Sequence, residues 1–393
     1  MDNKIKEIFS SWEAGRNVLL YGPPATGKTR LISELFQLLN ASRESQTGIL
    51  LDPSESLVPF SRPELEVTIP KPVKVVWTTF HQSYGYEDFV LGLRPENSTN
   101  GTRLQPWAGV FLDAALELNE PSSTYKSVVI FIDEINRGNA ARIFGEFMTF
   151  LDFDYRDEGR VPLPLPLRQL TYKDGKSEKI CRINGNEAYI PENFTFPKHI
   201  YIVSTMNSVD RAAIPIDSAL ARRFDRIEMR PNLDILAQYW NLDKNTINTV
   251  TEDTWETLSP YITSYLLLDR LNVTIASDLG CEFELGHGLL TSITANTIIS
   301  DETEKLIDED RAWRSLASTW DDVIYPQLED RYSGRPEQLI ELLRVDTAPL
   351  EGEYAWTLRV SLGNPIVART LTPVRVSELE IDIIKRSFRW LTR

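Results

Sequence analysis

The chain is poor in the residues that build covalent or metal-held frameworks. Its 393 residues include two cysteines, Cys181 and Cys281, and three histidines, His81, His199 and His287. Two cysteines exclude a disulfide framework and a cysteine zinc site, and three histidines speak against a multi-histidine metal centre. No apolar run approaches the ~18 residues of a membrane span. The opening MDNKIKEIFSSWEAG lacks the apolar stretch of a secretory signal, so a cytoplasmic protein is expected. Positive charge is also short. The chain has 42 Lys and Arg against 57 Asp and Glu, a net charge of −15. So acidic a surface binds phosphate backbones poorly; work on nucleic acid would need a local patch, a ring lumen or a partner chain.

What is present is ordinary globular material, 42% apolar and 25% charged. Four runs, NVLLY (17–21), KVVWTT (74–79), VVIFI (128–132) and HIYIVST (199–205), are apolar almost throughout. Such runs suit strands buried on both faces, and helical stretches separate them. The pattern predicts an α/β fold with a parallel sheet covered on both sides. Residues 41–70 read as loop or insertion, and 91–106 as a turn-rich surface segment. A helix is expected after VVIFI through Leu151, and another over 216–223. Between them, 157–197 reads as irregular, with a turn at 173–176 between hairpin strands. Residues 232–343 read as helical, with Trp240, Trp255, Trp313 and Trp320 available for a second core. Alternation over 354–360 predicts a strand, and Ser377 with Glu380 a capping box before a last helix. Domain boundaries are expected at 1–231, 232–345 and 346–393.

The chemistry begins where the first strand ends. Gly22-Pro23-Pro24-Ala25-Thr26-Gly27-Lys28-Thr29 satisfies G-x-x-x-x-G-K-[ST] between a strand and a helix. Backbone amides of such a loop and the helix N-terminus offer donors to phosphate oxygens. Lys28 can reach the β and γ phosphates, and the Thr29 hydroxyl can ligate Mg²⁺. Asp133-Glu134 closes the VVIFI strand. Acidic pairs there hold a cation or prepare a water, which assigns Asp133 to Mg²⁺ and Glu134 to the attacking water. Asn207, after IYIVSTM, can hold either a water or the γ phosphate. His81 and Gln82 follow a strand and either touch substrate or partner or serve the loop. His287 reads as a helix-start residue.

GPPATGKT, FHQSYGYEDFVLGLRP, FIDEINRGN, TMNSVDRA and ALARRF occur in that order. Together they resemble the McrB family of AAA+ NTPases, the motors of modification-dependent restriction systems, over about residues 15–345. FELGHGLL (283–290) and IYPQLEDRY (324–332) resemble that family's lid helices. The resemblance implies an AAA+ P-loop NTPase with a parallel sheet core, an α-helical lid and a small C-terminal extension. It implies GTP or ATP as substrate with Mg²⁺, a hexameric ring, and a motor role for a separate McrC-like nuclease in anti-phage defence. DNA would be engaged through that complex. By resemblance Gly22 to Thr29 bind the triphosphate and Asp133 and Glu134 form the Walker B pair. Asn207 and Asp210 belong to the signature loop, and either Arg222 or Arg223 is an arginine finger acting on a neighbouring subunit.

Departures are small: Ala25 replaces the usual loop glycine, and Ser208-Val209 a commoner Thr-Ala. With about 20 residues before Gly22, the family's DNA-reading domain is expected to be absent. DEINRGN alone also fits MoxR-type ATPases, so a chaperone that remodels a protein partner is the alternative. The segment after 345 lies outside the resemblance and is either a partner-docking element or a capping subdomain.

Overall fold

The four apolar runs become adjacent strands of one sheet. The structure is a computed structural model and describes residues 2–39, 68–98, 101–157, 164–173, 175–176, 178–209, 214–251, 254–293, 302–348, 354–360 and 369–393. The strands are β1 (Asn17–Gly22), β2 (Val73–Thr79), β3 (Ser127–Asp133), β4 (Ile200–Asn207) and β5 (Phe224–Glu228). Their order is β5-β1-β4-β3-β2, with every pairing parallel. Val128, Ile130 and Ile132 of β3 enter the core on one face, and Val129 and Phe131 the core on the other. Two covered faces are why the run is apolar at every position. The fifth strand escaped the sequence reading because FDRIE carries exposed charge at Arg226 and Glu228, as an edge strand can.

Several local expectations are corrected. Residues 91–98 and 101–108 form an antiparallel hairpin rather than a turn-rich segment. Its alternation is masked by Pro95, Pro106 and the exposed Leu93 and Leu104. The helix expected after β3 breaks into Ile135–Arg137, Ala140–Phe144 and Gly145–Leu151: Gly138 is extended and Asn139 caps the second piece, and Gly145 turns left-handed at φ 50°. The hairpin near 173–176 is displaced. Ile180–Cys181 pairs with Glu187–Ala188 around Asn184 and Gly185, while Thr171–Tyr172 runs parallel to Ile190–Pro191. Asp174 and most of 41–70 lie outside the described residues. Ser377 caps no helix: its amide and hydroxyl donate to Asp321 Oδ2 at 2.8 and 2.7 Å. Glu380 precedes the last helix, Ile381–Leu391, without a side-chain cap.

The chain divides into two compact units, residues 1–22 with 28–229, and residues 23–27 with 230–393. In the first, a buried ion cluster ties the helix Val110–Asn119 to the 180–188 hairpin. Arg182 donates to Asp113 Oδ1 (2.9 Å), Glu117 Oε2 (2.6 Å) and Glu120 Oε2 (2.6 Å), and Lys74 to Glu117 Oε2 (2.9 Å). In the second, Trp240, Trp313 and Trp320 are buried in one core with Tyr354, Trp356 and Phe388. Residues beyond 345 therefore share the core of the preceding helices. Trp255 stays half-buried, its ring 5.9 Å from that of Trp390. Among the described residues no helix is long and apolar enough to cross a membrane.

Candidate nucleotide site

Parallel register brings the functional strand ends together. Gly22 pairs with Asn207, Ser204 with Ile132, and Thr79 with Asp133, so β1, β4 and β3 end at one edge of the sheet. Ligands bind at that carboxyl edge in such folds. Asn207 Nδ2 donates to Glu134 Oε1. Thr205 Oγ1 donates to Asp133 Oδ1 at 2.5 Å and accepts the Glu134 amide at 3.0 Å. Thr205 thus fixes both acidic residues with one hydroxyl. The sequence reading missed it, although Thr205 and Asn207, two apart on a strand, share a face. Glu134 sits at φ 53°, in the left-handed region, and its carboxylate lies 3.7 Å from Arg137 Nε. A glutamate held there costs about 1–2 kcal/mol of backbone energy, a strain that functional sites tolerate.

Lys28 opens the helix Lys28–Leu38, and its Nζ donates to Gly22 O at 3.0 Å. Burial pushes its pKa down to about 8, and the carboxylates of Glu134 and Asp133 oppose that shift only in part. A buried cation near two carboxylates gives the edge a matched charge set for an anionic ligand and a divalent cation. Between Gly22 and Lys28, residues 23–27 pack with the second unit. Thr26 Oγ1 donates to Pro23 O at 2.9 Å, turning the loop. Ala25, where glycine is usual, has φ 60°, which costs a non-glycine residue about 1–2 kcal/mol.

The two arginines separate. Arg223 Nε meets Asp152 Oδ2 at 2.8 Å and its NH1 donates to Ala219 O at 2.8 Å, leaving a side chain 13% exposed. Arg222 is exposed. Its carbonyl accepts from Arg16 at 2.6 Å, which fixes the backbone beneath the side chain. Asp210 lies outside the described residues. His81 and Gln82 are exposed, and the His81 ring meets Tyr84 edge-on at 5.5 Å. His287 is buried and its Nδ1 accepts the Asn232 amide at 3.1 Å. A second residue missed from sequence is Asn136. Its Nδ2 donates to Asn207 O at 3.2 Å and its carbonyl accepts from Ile214 at 2.8 Å, so it holds both ends of the loop between them. Among the described residues no group of three His, Cys, Asp or Glu could cage a metal. Mg²⁺ needs no such cage: one carboxylate, a hydroxyl and phosphate oxygens suffice. Asp133, with Oδ1 taken by Thr205, and the exposed Thr29 hydroxyl suit that donor set.

A five-stranded parallel sheet whose first turn is a phosphate loop and whose third strand runs into Asp-Glu has the form of a P-loop nucleotide-binding domain. Residues 67–224 match the AAA domain of the dynein-related subfamily. Over 292 residues, 73% of this chain and 50% of the relative, it is 29% identical to the type IV methyl-directed restriction enzyme EcoKMcrB subunit of Escherichia coli (strain K12). Over 219 residues, 54% of this chain and 57% of the relative, it is 26% identical to the type II restriction enzyme BsuMI component YdiS of Bacillus subtilis (strain 168). Residues 67–224 thus carry an AAA domain, and the chain is similar to these two restriction-system components. It spans about half the length of these curated relatives.

Proposed function

We propose that this chain binds a Mg²⁺–nucleoside triphosphate, GTP or ATP, and hydrolyses it as the ring-forming motor of a restriction system. The observation that carries the reading is the joining of Asn207, Glu134, Thr205 and Asp133 across neighbouring strand ends, with Lys28 beside them. Amides of residues 22–29 and the Lys28 ammonium hold the phosphates. Thr29 and Asp133 would hold Mg²⁺, which when bound neutralises charge on the phosphate oxygens. Glu134 accepts a proton from the attacking water, and the Asn207 amide fixes the direction in which that carboxylate faces. Asp210 works in the same loop. Arg222, free to project because Arg223 carries the internal ion pair, stabilises charge on the γ phosphate of a neighbouring copy.

Two restriction components among the relatives support the wider setting. In that setting the copies form a hexameric ring, an McrC-like nuclease docks on it, and DNA is engaged through the complex. The acidic balance of the chain suits a motor that leaves DNA contacts largely to others. The test is Mg²⁺-dependent hydrolysis of GTP and ATP by the purified chain, alone and with the product of the adjacent gene. Turnover should rise with the partner. No hydrolysis of either nucleotide under both conditions would defeat the reading.

A further inference from the structure

The segment Glu284–Gly288 is held at successive residues, and it presses on the phosphate loop inside the second unit. Glu284 accepts from Arg230 NH2 at 2.5 Å. Leu285 is gripped twice by one side chain: its amide donates to Asn272 Oδ1 at 2.6 Å and its carbonyl accepts from Asn272 Nδ2 at 2.9 Å. His287 Nδ1 accepts the Asn232 amide at 3.1 Å. Gly288 N–H donates to Ala25 O at 2.9 Å. Glu284, Leu285 and His287 are all buried. At Gly286 a Cβ would run into Pro24 O and the Ala25 carbonyl, both backbone, so neither can step aside like a side chain. At Gly288 a Cβ would lie 2.9 Å from Ala25 O and 3.3 Å from Ala25 Cβ.

We propose that Glu284–Gly288 is a strut that sets the conformation of the phosphate loop, and that Gly286 and Gly288 are positioning residues for the triphosphate. The role toward the triphosphate rests on the proposed nucleotide site; the strut itself does not. Ala25 holds a left-handed backbone that alanine disfavours, and an unsupported loop would relax away from it. The Gly288 amide on its carbonyl and the close approach of Gly286 keep it there. A loop fixed before the ligand arrives loses less freedom on binding, and affinity gains accordingly. The Asn272 fork matters because it fixes the strut from behind: a side-chain amide that both donates to and accepts from one residue defines its position and orientation.

The experiment compares wild type with Gly286→Ala and Gly288→Ala. Each is measured by calorimetry against a non-hydrolysable Mg²⁺–GTP and Mg²⁺–ATP analogue, by steady-state hydrolysis, and by amide exchange over residues 23–27. Gly286→Ala should raise Kd at least tenfold, raise KM more than it lowers kcat, and speed exchange of the loop while the rest of the chain keeps its protection. Adding Ala25→Gly to Gly288→Ala removes the Cβ–Cβ contact but leaves the approach to the residue-25 carbonyl, so it should recover part of the lost affinity, a rescue that a general loss of fold would not give. If Gly286→Ala does not fold, the Gly288→Ala pair decides. Unchanged loop exchange and unchanged Kd in a folded glycine variant would overturn the strut. Wild type binding neither analogue would instead sink the nucleotide reading, and loop exchange would then judge the strut alone.

Discussion

Asn207 donates its side-chain amide to the Glu134 carboxylate, although 73 positions separate the two residues. The bond joins the ends of two adjacent parallel strands, and it holds the carboxylate that the proposed mechanism uses as base. Glu134→Gln keeps the shape and loses the base. Hydrolysis should fall roughly 10²–10⁴-fold while Mg²⁺–triphosphate still binds. Asn207→Ala should lower kcat with little change in Kd, because it frees the carboxylate without removing it. Equal kcat in wild type and Glu134→Gln would remove Glu134 from the chemistry.

Lys28 predicts a proton balance. Its pKa of about 8 in the nucleotide-free chain lies below the ordinary value of ~10.4. The unfolded chain therefore holds this proton to higher pH than the folded one. The buried charge costs stability below pH 8, and that cost fades as pH rises towards ~10.4. Bound phosphates favour the charged form, so binding at pH 8.5 should take up a proton. Calorimetry in buffers of different ionisation enthalpy measures this uptake. Lys28→Ala should abolish it, together with most of the affinity.

Arg222 and Arg223 should fail differently. Arg223→Ala loses a shielded ion pair to Asp152 and a bond to Ala219 O, and should cost roughly 1–3 kcal/mol of stability by thermal or urea unfolding. Arg222→Ala should leave the melting temperature within about a degree and cut hydrolysis at least tenfold. Mixing it with Lys28→Ala protein should recover activity, since one interface then pairs an intact loop with an intact arginine. Recovery absent from confirmed mixed assemblies would count against action across an interface.

The cluster on the helix Val110–Asn119 predicts acid sensitivity. Burial alone would raise the Glu117 pKa, but hydrogen bonds from Lys74, Arg182 and Ser123 overcome it and bring it to about 2. The folded value lies below the ordinary ~4.3, so the stabilisation is complete above about pH 4.3 and is lost as pH falls towards 2. Melting temperature against pH should show this loss in wild type and a flatter acid limb in Glu117→Gln. Arg182→Ala should destabilise by about 3–5 kcal/mol, because it strands buried carboxylates.

Much of the site was legible because its parts are local. A phosphate loop is a contiguous pattern, and the strands before Gly22, Asp133 and Asn207 announce themselves by being apolar at every position. What could not be read is how separate strand ends share atoms. Thr205 bridging Asp133 and Glu134, and Asn136 holding both ends of the loop from Asn207 to Ile214, depend on register between chain segments about 70 residues apart. Nothing in a local pattern carries that register.

The α/β class, the phosphate loop and the acidic pair follow from local pattern, since hydrophobic periodicity and short motifs act within one element. The two arginines differ in surroundings only once the chain is folded. Arg222 and Arg223 are chemically the same and adjacent, and they differ because Asp152, brought close by the fold, takes Arg223 and leaves Arg222 exposed. Likewise Ala25 reads as a mild substitution in sequence. Its left-handed backbone lies against Gly286 and Gly288, more than 260 positions away, and the Gly288 amide donates to its carbonyl.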